Sequence, residues 1–221
     1  MRTVLAIAHR AGNSLPGLRA AHEVGADVVE CDVHEYRGRL EVRHLKTAGP
    51  LPVLWDRWEL ASASAARLGL DELLAADAHG STFMLDIKGP RATVGEDVAR
   101  FLHEQGHHRP VLVCGRWWPA VEAVARLPFV QPVLSARNRG ELARLRPRLA
   151  AGPPVHGVSV HQSLLTAELV TELHRHAQVV MTWPINDNET LDATLALGVT
   201  GIISDEQSVL ADLVGRRREW S

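Results

Sequence analysis

Apolar runs of strand length alternate with amphipathic helical stretches along the whole 221-residue chain, and no other feature narrows the fold as much. Val4–His9, Val28–Val33, Phe83–Ile87, Val111–Cys114, Val130–Ser135, Gly157–Val160, Val179–Trp183 and Gly201–Ser204 read as strands. Leu18–Val24, Leu70–Ala78, Val94–Gln105, Ala120–Leu127, Glu141–Leu149, Ala167–His176, Glu189–Leu197 and Gln207–Val214 read as helices. Repetition of strand, helix and short loop implies parallel pairing with right-handed crossovers. Eight such units predict an α/β chain with one domain over residues 1–221, a closed (β/α)₈ or TIM barrel. An open doubly wound sheet is the nearest rival. It usually carries a Gly-rich phosphate loop after an early strand, and no G-x-G-x-x-G or Walker-type run occurs here. Arg39–His44 reads as an extra strand after the second, and Leu45–Ala66 as an irregular loop, long enough to serve as a lid or substrate loop.

Composition excludes several classes. The chain is 46% hydrophobic and 23% charged, which is ordinary for a globular protein. A net charge of −2, with no basic run interleaved with aromatics, gives no sign of a nucleic-acid partner. The short cluster Arg216-Arg217-Arg218 reads as a solvated helix end that complements the helix dipole. No apolar stretch approaches the ~20 residues of a membrane span, so no integral membrane segment is expected. Cys31 and Cys114 sit within strand-like runs and read as buried thiols, not a disulfide framework. Met1–Ala8 is too short and too weakly apolar for a secretory signal, so a cytoplasmic, reducing compartment is expected. Nothing in the sequence sets the oligomeric state.

In a barrel of this kind, chemistry gathers at the C-terminal ends of the strands. Strand one ends in His9-Arg10, strand two in Glu30-Cys31-Asp32, the extra strand in His44, strand three in Asp86-Ile87-Lys88, and strand seven in Trp183. Side chains two apart share a face, so Glu30 pairs with Asp32 in direction and Asp86 with Lys88. Several carboxylates buried together are costly without a neutralising cation. Lys88 and Arg10 supply part of that charge. A divalent metal supplies more, and an all-oxygen ligand set suits Mg²⁺ or Ca²⁺ rather than Zn²⁺. The histidines then stay free for proton transfer, and an imidazole with a pKa of ~6.5 can act as base or acid on a phosphodiester near neutrality. A zinc amidohydrolase would need an H-x-H pair on strand one, and a catalytic serine a G-x-S-x-G elbow. Neither occurs.

The ordered pieces resemble a known family. His9-Arg10-Ala11-Gly12-Asn13-Ser14, Gly25-Ala26-Asp27-Val28-Val29-Glu30-Cys31-Asp32-Val33, Val42-Arg43-His44 and Phe83-Met84-Leu85-Asp86-Ile87-Lys88 follow one another in that order. Met181-Thr182-Trp183-Pro184-Ile185-Asn186-Asp187 and Gly198-Val199-Thr200-Gly201-Ile202-Ile203-Ser204-Asp205 close the series. Together they resemble the glycerophosphodiester phosphodiesterases. That resemblance implies His9 and His44 as the acid and base, and Glu30, Asp32 and Asp86 as metal ligands. It implies Arg10 and Lys88 as phosphate-binding groups, and Trp183 as a pocket wall. The implied reaction cleaves a small-molecule phosphodiester, a glycerophosphodiester, to sn-glycerol 3-phosphate and an alcohol. Three positions depart from the family pattern. Gly12 stands where the family has Glu, Leu45 where it has Asp, and Asp86 where it has Glu. Asp at this last position is similar to the sphingomyelinase D branch of the superfamily. Two other readings stay open: a lysophospholipase D-like enzyme that forms a cyclic phosphate, and a non-catalytic barrel that binds a phosphorylated ligand.

Overall fold

A computed structural model describes residues 3–47, 51, 53–56, 59–62, 65–89 and 91–219. The strands, in chain order, are β1 Leu5–Ala8, β2 Val28–Tyr36, β3 Arg39–Val42, β4 Lys46–Thr47, β5 Val53–Asp56, β6 Glu59–Ser62, β7 Thr82–Ile87, β8 Val111–Gly115, β9 Val130–Ala136, β10 Val155–His161, β11 Ala177–Trp183 and β12 Gly201–Ser204. The helices are α1 Leu15–Val24, α2 Leu70–Ala76, α3 Ala92–Glu104, α4 Trp118–Val124, α5 Arg139–Ala151, α6 Ala167–Leu173, α7 Asn188–Ala196 and α8 Gln207–Glu219. Every expected strand and helix is present, with ends displaced by a few residues.

Strands β1, β2, β7, β8, β9, β10, β11 and β12 pair in parallel, each with the next, and β12 returns to β1. The pairing of β1 with both β2 and β12 closes the sheet and excludes the open doubly wound alternative. Strand residues alternate between two buried surfaces. Ile7, Val28, Met84, Leu112, Val133 and Met181 pack together inside the barrel. Val29, Cys31, Val33, Leu85 and Ile87 point outward into the larger core beneath the helices. Burial on both faces explains why these strands read as continuous apolar runs. Each large side chain so buried contributes ~1.5–3 kcal/mol. Local signals set the helix starts. Ser14, Asn138, Thr166 and Asp187 each accept a backbone N–H from the first turn of α1, α5, α6 and α7.

The second unit departs from simple repetition. β2 runs on beyond the barrel and turns back through Arg37 and Gly38, both with positive φ (52° and 78°), into antiparallel β3. The expected extra strand therefore exists and stops at Val42. The segment expected to be irregular contains a small antiparallel sheet, β4-β5-β6. Its strands are too short to show a period in sequence, and its inward face is little more than Leu45, Leu54 and Ala61. Residues 48–50, 52, 57–58 and 63–64 of that loop lie outside the described residues. In the terminal basic cluster, Arg216 pairs with Asp192 and Asp212, and Arg217 pairs with Asp27. The side chain of Arg218 lies outside the described residues.

Gly12 has a packing reason to lack a side chain. It lies in a 3₁₀ turn, Ala11–Asn13, pressed against β2, and a Cβ there would come 2.8 Å from Cys31 Cβ. Gly12→Ala should cost ~1–3 kcal/mol, as overpacking of a tight contact does. Thermal unfolding should show Tm lower by roughly 3–10 °C for a chain of this size. An unchanged Tm would mean the turn is free to move off β2.

Candidate active site

The carboxylates are gathered by strand register. β2 and β7 lie side by side with Asp32 opposite Asp86, and the period of two puts Glu30 on the same inner face as Asp32. Glu30 and Asp32 are buried, at 2% and 0% exposure. One oxygen from each of Glu30, Asp32 and Asp86 lies within 4.8 Å of the others. Lys88, just past β7, sets its Nζ 2.5 Å from Asp32 Oδ1 and also pairs with Asp86 Oδ2. The 3₁₀ turn that Gly12 holds against β2 delivers Asn13. Its Nδ2 donates to Asp32 Oδ2, and its Oδ1 accepts the Asp32 N–H, each at 2.8 Å. Arg10 donates its backbone N–H to Glu30 Oε2 at 2.5 Å, and its Nε stands 4.0 Å from Asp32 Oδ2. Arg10 adopts φ 56°, a left-handed conformation costly for any residue but glycine, by ~1–3 kcal/mol.

The electrostatics show too much buried negative charge. Burial first, and then the charge of Asp32, push the Glu30 carboxyl up to about 7. Burial would raise Asp32 as well, but the hydrogen bond with His44, the Lys88 ammonium and Asn13 outweigh it, and Asp32 lies far below the usual carboxylate range. Burial opposes the charge on Lys88, yet Asp86, Asp32 and Glu30 together hold its pKa above the ordinary lysine value. Asp32 Oδ1 accepts from the Lys88 ammonium at 2.5 Å. Three carboxylates that converge within 4.8 Å, with no sulfur or imidazole in the set, fit a hard divalent cation.

An imidazole stands on each flank. His9 follows β1, and its Nδ1 lies 2.9 Å from Asp205 Oδ1, just past β12. Burial lowers the His9 pKa, but the Asp205 hydrogen bond and the Glu30 charge exceed that effect and raise it overall. The Asp205 carboxylate also accepts from the Asn186 side chain. His44 follows β3. Its Nδ1 stands 3.2 Å from Asp32 Oδ2, and its Nε2 3.0 Å from Asp56 Oδ2. His44 is not part of an exposed basic stretch. Arg43 is buried and paired with Glu41, and Leu45 is buried against Leu54. Leu45 thus anchors the small sheet, and that sheet returns Asp56 to His44. A third histidine on the cavity wall, His34, is pushed down to about 3 by burial and by Arg43, so it stays neutral across ordinary pH.

His9, Arg10, Glu30, His44, Asp86, Lys88 and Trp183 all line one cavity of about 840 Å³ at the C-terminal end of the barrel. Trp183 forms its wall, edge-on to His161 at 5.0 Å between ring centres. Asn13, Asp56 and Asp205 belong to the same constellation and escaped the sequence reading. Asn13 and Asp205 stood inside quoted motifs, but no local pattern shows their contacts: Asn13 reaches Asp32 on β2, and Asp205 meets His9 across the closure of β12 onto β1. Asp56 had no signal at all, because its sheet is invisible as a periodic pattern.

No protein-family model matches the chain, and no curated protein matches it. Solved structures do. A protein from Silicibacter pomeroyi assigned as a glycerophosphoryl diester phosphodiesterase superposes with a TM-score of 0.80 at 17% identity, over 98% of this chain and 94% of that one. A phosphodiesterase from Oleispira antarctica, solved with the product sn-glycerol 3-phosphate, gives 0.74 at 17% identity, over 96% and 97%. A glycerophosphodiester phosphodiesterase from Thermotoga maritima gives 0.70 at 15% identity, over 96% and 98%. The chain has the closed (β/α)₈ fold of these phosphodiesterase structures over nearly its whole length.

Proposed function

We propose that the chain is a metal-dependent phosphodiesterase that cleaves glycerophosphodiesters to sn-glycerol 3-phosphate and an alcohol. One observation carries the reading. Glu30, Asp32 and Asp86 converge within 4.8 Å, with His9 and His44 on either side and Arg10 and Lys88 in the same cavity. The activity named for the Oleispira antarctica and Thermotoga maritima proteins, which share the fold, agrees with it.

Glu30, Asp32 and Asp86 would hold Mg²⁺ or Ca²⁺. A bound divalent ion supplies Lewis acidity for the phosphoryl oxygens. The chain's own groups do the rest. Arg10 and Lys88 draw the anionic phosphate to the carboxylate cluster and offset charge that grows on its oxygens. One imidazole takes the proton of the attacking hydroxyl, from water or from a neighbouring alcohol. The other gives a proton to the departing alkoxide, as general acid–base catalysis requires. Asp205 holds the His9 ring in place and favours its protonated form, and Asp56 orients the His44 ring. Trp183 closes one side of the pocket against water.

The test is direct. Purified protein with Mg²⁺ or Ca²⁺ should release sn-glycerol 3-phosphate from glycerophosphoglycerol, and a chelator should abolish the release. Chelator-insensitive turnover would remove the metal from the reading, and no turnover on a panel of diesters would remove the enzyme. A second reading has its own support: Leu51, Trp55 and Leu60 are exposed on or beside the small sheet next to His44, at 60%, 42% and 79%. An acyl chain could lie there, which favours a lysophospholipid diester and a cyclic phosphate product. Phosphorus NMR of the products separates the two.

A further inference from the structure

The far side of the cavity mouth carries a different charge pattern from the side with the carboxylates. Arg116 follows β8, Arg137 follows β9, and Arg144 lies on α5. All three line the cavity that holds Glu30 and Asp86. Among the described residues the acid in contact with these arginines is Glu141, while Asp86 on the neighbouring β7 acts on Arg116 from farther off. Glu141 is buried and already committed. Its two oxygens accept Arg116 Nε at 3.1 and 3.2 Å, and Oε2 also accepts the Arg137 N–H at 2.6 Å. That contact fixes Arg116 without using it up, because a guanidinium has N–H donors to spare.

Arg137 and Arg144 are exposed, and among the described residues neither has a carboxylate within salt-bridge distance. Their neighbours on α5 differ. Arg146 pairs with Glu172 and Arg148 with Glu122. Three arginines thus meet one glutamate on this side, an excess of two positive charges. A concave site with low-dielectric walls concentrates such a field. The floor beneath is lined by Ser135 and Ser159 and adds no negative charge. At about 840 Å³ the cavity also has room for more than a glycerol phosphate.

We propose that Arg116, Arg137 and Arg144 bind a second anionic group, a phosphate or carboxylate, on the alcohol portion of the substrate. The guanidinium fork suits either group. The substrate class is then a glycerophosphodiester with a negatively charged alcohol, and a cationic alcohol such as choline is disfavoured. This rests on the phosphodiesterase reading of the carboxylate side, and its test keeps the two apart.

Glycerophosphoinositol 4-phosphate, glycerophosphoglycerol and glycerophosphocholine present anionic, neutral and cationic alcohols. Both kcat/KM and binding, the latter by quenching of tryptophan fluorescence, should be measured for each. The anionic diester should exceed the cationic one by about tenfold or more in both readouts, as one well-placed charge pair gives. The double variant Arg137→Gln/Arg144→Gln should bring that ratio to within about threefold of unity. Both residues are exposed, so the fold should tolerate the change, whereas Arg116 must stay to neutralise buried Glu141. Equal binding of all three diesters by the wild type overturns the proposal, whether or not they are cleaved. An anionic preference that survives the double variant overturns it too. Selective binding of the anionic diester, lost in the variant but without cleavage of any diester, supports the arginine site and removes the phosphodiesterase reading.

Discussion

Asp32→Asn should lower kcat/KM on a glycerophosphodiester by about 10³-fold, the effect of removing one preorganised electrostatic group from a transition state. Neither of the other two clustered carboxylates is so heavily engaged among the described residues. Asp32 meets Asn13, His44 and Lys88 at once and shares the converging site with Glu30 and Asp86. The change keeps the shape and removes the charge. It also removes the group that most strongly raises Glu30 after burial itself. Titration calorimetry with Mg²⁺ and with Ca²⁺ should show divalent affinity reduced beyond the ~10–100-fold typical of groups that only support a ligand. Near-normal affinity would mean the ion sits elsewhere in the cavity. The circular dichroism spectrum should not change, because the outer core beneath β2 does not depend on Asp32.

His9→Ala and His44→Ala should each lower kcat by ~10²–10⁴-fold, the usual share of a positioned acid or base. The double variant should fall little below the worse single one, because the two act on one proton-transfer sequence. Metal affinity should hold in His9→Ala, since its ring pairs with Asp205 and not with a carboxylate of the cluster. Asp205→Asn gives a finer reading. The wild-type His9 pKa is raised, with burial opposed by Asp205 and Glu30. Removing the Asp205 charge leaves burial less opposed, so the pKa must fall. The limb of the pH–rate profile that reports His9 should therefore move to lower pH. A profile that stays in place would show that another group titrates. Multiplicative losses in the double variant would show that the imidazoles act separately.

Much of the architecture was legible in the chain because two-sided burial writes itself into sequence. Strands covered by helices outside and by packed side chains inside must be apolar almost throughout, and the helices between them need one apolar face. The alternation therefore fixed the number of units, and the rule of strand ends pointed to His9, Glu30, Asp32, Asp86 and Lys88. The period of two also put Glu30 beside Asp32. What tertiary structure alone decided is everything that depends on register and on chain crossing between distant segments. Asp32 stands opposite Asp86 only because β2 pairs with β7 in that register. His9 meets Asp205 only because β12 closes onto β1. Asp56 reaches His44 through a sheet whose strands are too short for any pattern, and buried Leu45 and Leu54 hold that sheet in place. Gly12, which in sequence marks only a missing carboxylate, is small because β2 runs too close for a Cβ. Local periodicity encodes which face of an element is buried. It carries no record of which distant element covers that face, and the candidate site is built from those distant pairings.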